Sequence, residues 1–185
     1  MSFMLKKQGA MLRIDRSKKG GVDEEIKELL ACINARPEYF TTSSCAGRIL
    51  VIQRKSERKI DAEWLLASHR PVDVPDVRKA IVTAAYPAWF RMEPVILHVC
   101  ASTLDSAMVL LRMARDAGLK RSGIMSLLNG RIMIELCGND ILDTIVHDGR
   151  RMVVDDSYLT LLVDEANKKL KRNKKRIDLL VKRMN

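Results

Sequence analysis

Aromatic side chains make up only 4% of the 185 residues, while methionines number ten, so the core is expected to be aliphatic. The four cysteines, Cys32, Cys45, Cys100 and Cys137, form no C-x-x-C pair and have no histidine at ligand spacing, which argues against a zinc site and leaves no metal expected. No uncharged stretch approaches the roughly 18 residues of a membrane span. The chain opens on lysines around a short Phe3-Met4-Leu5 cluster, without the apolar core of a signal peptide. No G-x-G-x-x-G follows a strand, and no Walker loop, H-E-x-x-H or paired-carboxylate motif is present. With no low-complexity linker either, the expectation is one soluble cytoplasmic domain spanning 1–185, with reduced thiols and no membrane partner.

Charge is what the sequence has in excess, and it is placed unevenly. The formal net charge is +10. Residues 168–185 hold nine Lys/Arg against Asp178 alone, and the leader 1–20 holds six against Asp15, so both ends are basic while the body is slightly acidic. Two basic ends on one side of a fold make a footprint for a polyanion, nucleic acid being the commonest. The alternative is a solvated terminal helix and a loose leader that keep the protein soluble.

Periodicity places an amphipathic helix over 22–34, closed by Pro37, then strands over 39–42 and 49–53. Residues 62–69 read as strand or short helix. Proline brackets a helix over 76–85, and the apolar run within 90–99, with His98 inside it, reads as one strand buried on both faces. Ser102 and Asp105 have capping-box spacing ahead of a helix that Gly118 stops. Asn129-Gly130 suits a type I′ turn between strands over 122–128 and 131–136. A last helix over 157–185 carries the seam Leu159, Val163, Ala166, Leu170, Asn173, Ile177, Leu180 and Met184, in steps of four and three. The elements add up to helices packed on a mixed sheet with a long basic C-terminal helix.

Chemistry concentrates in Thr42-Ser43-Ser44-Cys45-Ala46-Gly47-Arg48. Backbone N–H groups, serine hydroxyls and a guanidinium converging at a strand end would seat an anion; a polar hairpin turn accounts for the same residues. His69, His98 and the pair Ser122-Gly123 also fall at expected strand ends or turns, where scaffolded sites lie. Either histidine has the chemistry of a general base near neutral pH, although the commoner role of a lone histidine in an apolar strand is structural. Cys45 beside Arg48 is a small half-buried thiol or an activated thiolate. Asn173 is a register-fixing polar residue of the seam or a hydrogen-bonder facing a ligand.

The combination Thr41-Thr42-Ser43-Ser44-Cys45-Ala46-Gly47-Arg48-Ile49, Trp64 with Ser68-His69, Glu93-Pro94 with Leu97-His98-Val99, Arg121-Ser122-Gly123-Ile124, and Ala166-Asn167-Lys168 with Asn173 resembles the tRNA wybutosine-synthesising methyltransferases. The resemblance covers about 26–177, and the short length is similar to the stand-alone archaeal members. It implies an α+β fold distinct from the Rossmann methyltransferases. It also implies an S-adenosylmethionine-dependent enzyme that N4-methylates the tricyclic 4-demethylwyosine-type base, as its aminocarboxypropyl derivative, beside the anticodon of phenylalanine tRNA. A ring nitrogen that is methylated must lose its proton, which makes His98 or His69 the candidate base. Carried onto this sequence, the resemblance makes Ser44, Cys45, Gly47, Arg48, Ser122 and Gly123 cofactor-binding, and Asn167, Lys168, Arg172 and Asn173 substrate-binding, although the anion seated by Ser44, Gly47 and Arg48 is either the cofactor carboxylate or an anionic group of the substrate. Where the family shows Ser-Ser-Cys-Ser-Gly-Arg, this chain has Ala46; a lost ligand contact there would favour a non-catalytic tRNA-binding module. A cysteine hydrolase built on Cys45 is the third reading.

Overall fold

The computed structural model describes residues 2–12, 21–128 and 131–185. The order is α1 (Phe3–Met11), a 3₁₀ turn (Glu24–Ile26), α2 (Lys27–Ala35), β1 (Tyr39–Cys45), β2 (Arg48–Arg54), a second 3₁₀ turn (Lys59–Asp61), β3 (Ala62–Ser68), α3 (Val74–Val82), β4 (Pro87–Glu93), β5 (Ile96–Ala101), α4 (Leu104–Asp116), β6 (Gly123–Leu128), β7 (Arg131–Cys137), β8 (Leu142–Asp148) and α5 (Asp156–Met184). The class is α+β, as expected. In place of one mixed sheet there are two four-stranded sheets, ordered β1-β5-β7-β6 and β3-β2-β4-β8, and every strand pairing described is antiparallel. Short connections such as β6–β7 can join only antiparallel neighbours.

The chain divides into two compact units: Met1–Ala46 with Val95–Asn139 and Asn173–Asn185, and Gly47–Pro94 with Asp140–Arg172. In the first, the core face of the β1-β5-β7-β6 sheet, with Leu97, Val99, Ile134 and Leu136, packs with Ile26, Leu29 and Ile33 of the α2 region, Leu110 and Ala114 of α4, and Ile177, Leu180 and Met184 of α5. In the second, Ile49, Val51, Phe90, Met92 and Val146 pack with Val77 and Ile81 of α3 and with Leu159, Val163, Ala166 and Leu170 of α5. All eight seam positions of α5 are buried, so the three–four spacing reports the helix face correctly.

Several expectations shift. The run over 90–99 is two strands in different sheets, because Pro94 offers no N–H to a ladder. Residues 62–69 resolve as a strand. The capping box of α4 sits one residue later than read, on Thr103 and Ser106, whereas Gly118 does stop the helix, at φ +94°. Strands β6 and β7 pair as the hairpin reading requires; the Asn129-Gly130 turn itself, and 13–20 of the basic leader, lie outside the described residues. Helix α1 and strand β8 were not anticipated.

Helix α5 starts behind Asp155, whose carboxylate accepts the Tyr158 N–H and the Ser157 hydroxyl, each at 2.8 Å. Those bonds, the Tyr158 N–H first, hold its pKa below the usual aspartate value. A depressed folded-state pKa stabilises the protein above the unfolded-state value, about pH 4, and that contribution is lost as pH falls through the folded-state pKa. Asp155→Asn is therefore expected to lower Tm at neutral pH and to flatten its acid limb, which thermal melts from pH 7 to 3 measure.

Candidate active site

One lateral row crosses the first unit's sheet. Ser43 on β1 lies opposite His98 on β5, His98 lies opposite Glu135 on β7, and Glu135 lies opposite Gly123 on β6. Residues directly opposite share a face. This face is turned away from the core, since Leu97 and Val99 flank His98 and point inward. The Glu135 carboxylate can only accept, so Nε2 of His98 carries the proton and donates to Oε2 at 3.2 Å. The lone pair of neutral His98 is then on Nδ1, where the Ser43 hydroxyl donates at 2.7 Å. Ser43 is exposed, and the His98 and Glu135 side chains retain 30% and 29% of their accessible surface. A serine, a histidine and a carboxylate are thus lined up and open to a reactant, and His98 is not a core residue.

The sequence names both Ser43 and Ser44, and register separates them. A bulge between Thr41 and Ser43 shifts the β1 register by one residue, reversing which side chains face outward. Ser44 lies opposite Leu97 and so on the other face, while Cys45 lies opposite Ile96, on the face of His98. Glu135 was missed because an isolated glutamate in a strand carries no motif. Ser122 is buried at 4% exposure; its hydroxyl donates to the Leu119 carbonyl and accepts the Cys137 N–H, so both its roles serve the fold. Beside Gly123, a Cβ would meet nothing within 4 Å, which leaves open room next to Glu135. Burial pushes the thiols of Cys100 and Cys137 up. Iodoacetamide on the native protein is expected to label the half-buried Cys32 and Cys45 well before these two, as peptide mass spectrometry would show.

The second unit holds the other residues of the motif. Strands β1 and β2 belong to different sheets, so Thr42 to Arg48 is not a hairpin turn. Gly47 has φ +92°, a conformation that favours glycine. Its carbonyl receives Nδ1–H of His69 at 2.9 Å, which fixes the neutral ring as the Nδ1–H tautomer. Arg48 donates its Nε–H to Glu93 at 2.7 Å and lays its guanidinium 4.4 Å from the Trp64 ring centroid. Asn167 bonds both the N–H and the carbonyl of Val72, at 3.0 and 2.8 Å, tying down the loop after β3. Arg172 pairs with Asp140 and Glu165, the Asp140 carboxylate first in holding the guanidinium protonated. Lys168 is exposed, and Asn173, in the first unit, is wholly enclosed. The departure at Ala46 falls in the apolar cluster: its methyl is buried, and its N–H donates to the Asp23 carboxylate at 2.9 Å.

Antiparallel pairing throughout the described sheets sets this frame apart from the doubly wound parallel folds that bind nucleotides at a glycine-rich turn, and the outward row sets a serine, a histidine and a carboxylate side by side on it. The chain belongs to the family Methyltransferase TYW3, whose model matches residues 4–185. A Pyrococcus horikoshii relative, the tRNA(Phe) 7-((3-amino-3-carboxypropyl)-4-demethylwyosine(37)-N(4))-methyltransferase 1, is 34% identical over 187 residues, covering 100% of this chain and 95% of its own length. The mouse tRNA wybutosine-synthesizing protein 3 homolog is 39% identical over 92% of this chain and 68% of its own length. The solved structure of the PH1069 protein from Pyrococcus horikoshii superposes with a TM-score of 0.92 at 34% identity, covering 100% of this chain and 96% of that one.

Proposed function

We propose that this chain N4-methylates the 4-demethylwyosine-type base, as its aminocarboxypropyl derivative, beside the anticodon of phenylalanine tRNA, with S-adenosylmethionine as donor. The printed activity of the archaeal relative supports the reaction, and the row Ser43–His98–Glu135 supports the chemistry. When bound, the donor supplies a methyl group on a sulfonium. Cys45 and Gly123, which share the face of His98, are the residues of this unit assigned to hold it, and the room beside Gly123 is what fits them to that role.

The ring nitrogen that receives the methyl group must lose its proton. His98 is the base: the proton passes to the exposed Ser43 hydroxyl as that hydroxyl gives its own to Nδ1, and the Glu135 carboxylate stabilises the imidazolium through Nε2–H. His69 donates Nδ1–H to the Gly47 carbonyl, which steadies that turn and leaves the ring's lone pair on Nε2. Arg48, stacked over Trp64, belongs with the substrate. The exposed lysines of α5, among them Lys168, Lys171, Lys174 and Lys175, grip the phosphate backbone, and binding is expected to weaken steeply with salt. The target base leaves its stack to reach the site. No described helix is long and apolar enough to cross a membrane, and we place the enzyme in the cytoplasm with its tRNA.

Ala46 no longer points to a non-catalytic module, because its methyl packs in the core. The test is methyl transfer from labelled S-adenosylmethionine to tRNA from a strain lacking this activity. Label in phenylalanine tRNA is expected; label in no tRNA would overturn the reading.

A further inference from the structure

We infer that the outward face of the β3-β2-β4-β8 sheet is a stacking platform for unpaired RNA bases, an assignment that rests on the tRNA reading above and gives it a surface. The chain has two tryptophans, and both lie opposite the same residue: Ile52 of β2 faces Trp64 on β3 and Trp89 on β4. Ile145 of β8 lies opposite Trp89 in turn. Trp64, Ile52, Trp89 and Ile145 therefore form one lateral row across all four strands. It lies on the face opposite the core, which takes Val51 and Phe90. Trp64 and Ile145 are 40% and 48% exposed, with Ile52 buried and Trp89 half-buried between them, so the row presents apolar surface at both ends, as binding surfaces do.

The cations interleaved with these rings decide the occupant. Arg48 lies 4.4 Å from the Trp64 centroid and Arg54 lies 5.7 Å from the Trp89 centroid; Arg91, beside them, is held in a bidentate pair by Asp143. Nε of Arg54 is buried and has no hydrogen-bond partner among the described residues. Unpaired bases stack on indole and guanidinium planes; Arg48, stacked over Trp64 and paired with Glu93, extends the stacking surface, and among the described residues of this row Arg54 is the cation left to meet a phosphate.

The two tryptophans report their own occupancy. A 12-residue single-stranded oligoribonucleotide, titrated into the full chain, is expected to quench tryptophan fluorescence; a blunt RNA duplex of the same composition is expected not to. Trp64→Ala should weaken binding of the single strand about five- to a hundredfold, with the slope of affinity against salt unchanged. Trp64→Phe should retain most of the affinity, and Arg54→Ala should lower the salt slope by about one. Equal quenching by duplex and single strand would overturn the assignment whatever any variant does. So would wild-type affinity in Trp64→Ala, or quenching by S-adenosylmethionine alone with affinity lost in Trp64→Ala, which would make the platform a cofactor seat. Single-strand quenching without methyl transfer to tRNA would sink the reaction and leave the platform standing. Methyl transfer at the wild-type rate with limiting tRNA, together with unchanged oligonucleotide affinity in Trp64→Ala, would do the reverse.

Discussion

Replacing His98 by Asn is expected to slow methyl transfer to tRNA by about two to four orders of magnitude, the range a positioned general base contributes. Asparagine keeps a polar group of similar reach but cannot take up the proton. Because His98 is on an outward face and half-exposed, the fold should be spared, with a stability change of about 0.5 kcal/mol or less. The loss should appear in kcat, with tRNA affinity unchanged. Glu135 separates the two parts of its support. Glu135→Gln keeps an acceptor for Nε2–H and removes only the charge, so it should cost less than Glu135→Leu, which removes both. Turnover of His98→Asn at the wild-type rate would refute the base assignment. A loss matched by an equal loss of tRNA binding would reassign His98 to recognition.

Asn173→Leu is expected to make the protein more stable. The side chain is wholly enclosed, it stands in the seam between Leu170 and Ile177, and neither its amide nitrogen nor its oxygen has a hydrogen-bond partner among the described residues. Each buried unsatisfied group costs about 1–3 kcal/mol. For a chain of this size 1 kcal/mol moves Tm by about 2–4 °C, so removing both should raise Tm by at least about 4 °C. The same variant divides the two readings of this residue. Higher stability with full activity leaves Asn173 as a register device of the kind polar seam residues provide in coiled coils. Higher stability with activity lost gives it the substrate role that the family resemblance implies. A fall in Tm would show that the amide is satisfied after all, and both would need revision.

What could be read from the sequence was set by local rules. The seam of α5 was legible to its last residue because helical periodicity depends only on spacing. The β6–β7 pair was legible because Asn129-Gly130 has few other uses. β8 was not, since its two aspartates lower strand propensity and it is held by what β4 brings to it, the Arg91–Asp143 pair included. The candidate site shows the same division. His98 stood out as a residue type at a strand position, but its partners depended on which strands adjoin. Ser43 needed the β1 bulge, and Glu135 needed β7 beside β5, neither of which spacing encodes. Ser122 illustrates the converse: a serine beside a glycine reads as a ligand seat until its hydroxyl is found bonded to two backbone groups.

Helix α5 has a consequence for how the protein is made. One apolar cluster takes Leu159 to Leu170 from it and the other takes Ile177 to Met184, so each core is completed by a segment of this late helix. Domains ordinarily fold from the N-terminus as they leave the ribosome. Until α5 has been made, the first sheet has only α2 and α4 packed on it and the second only α3, and each core lacks the stretch of apolar wall that this one helix supplies to both.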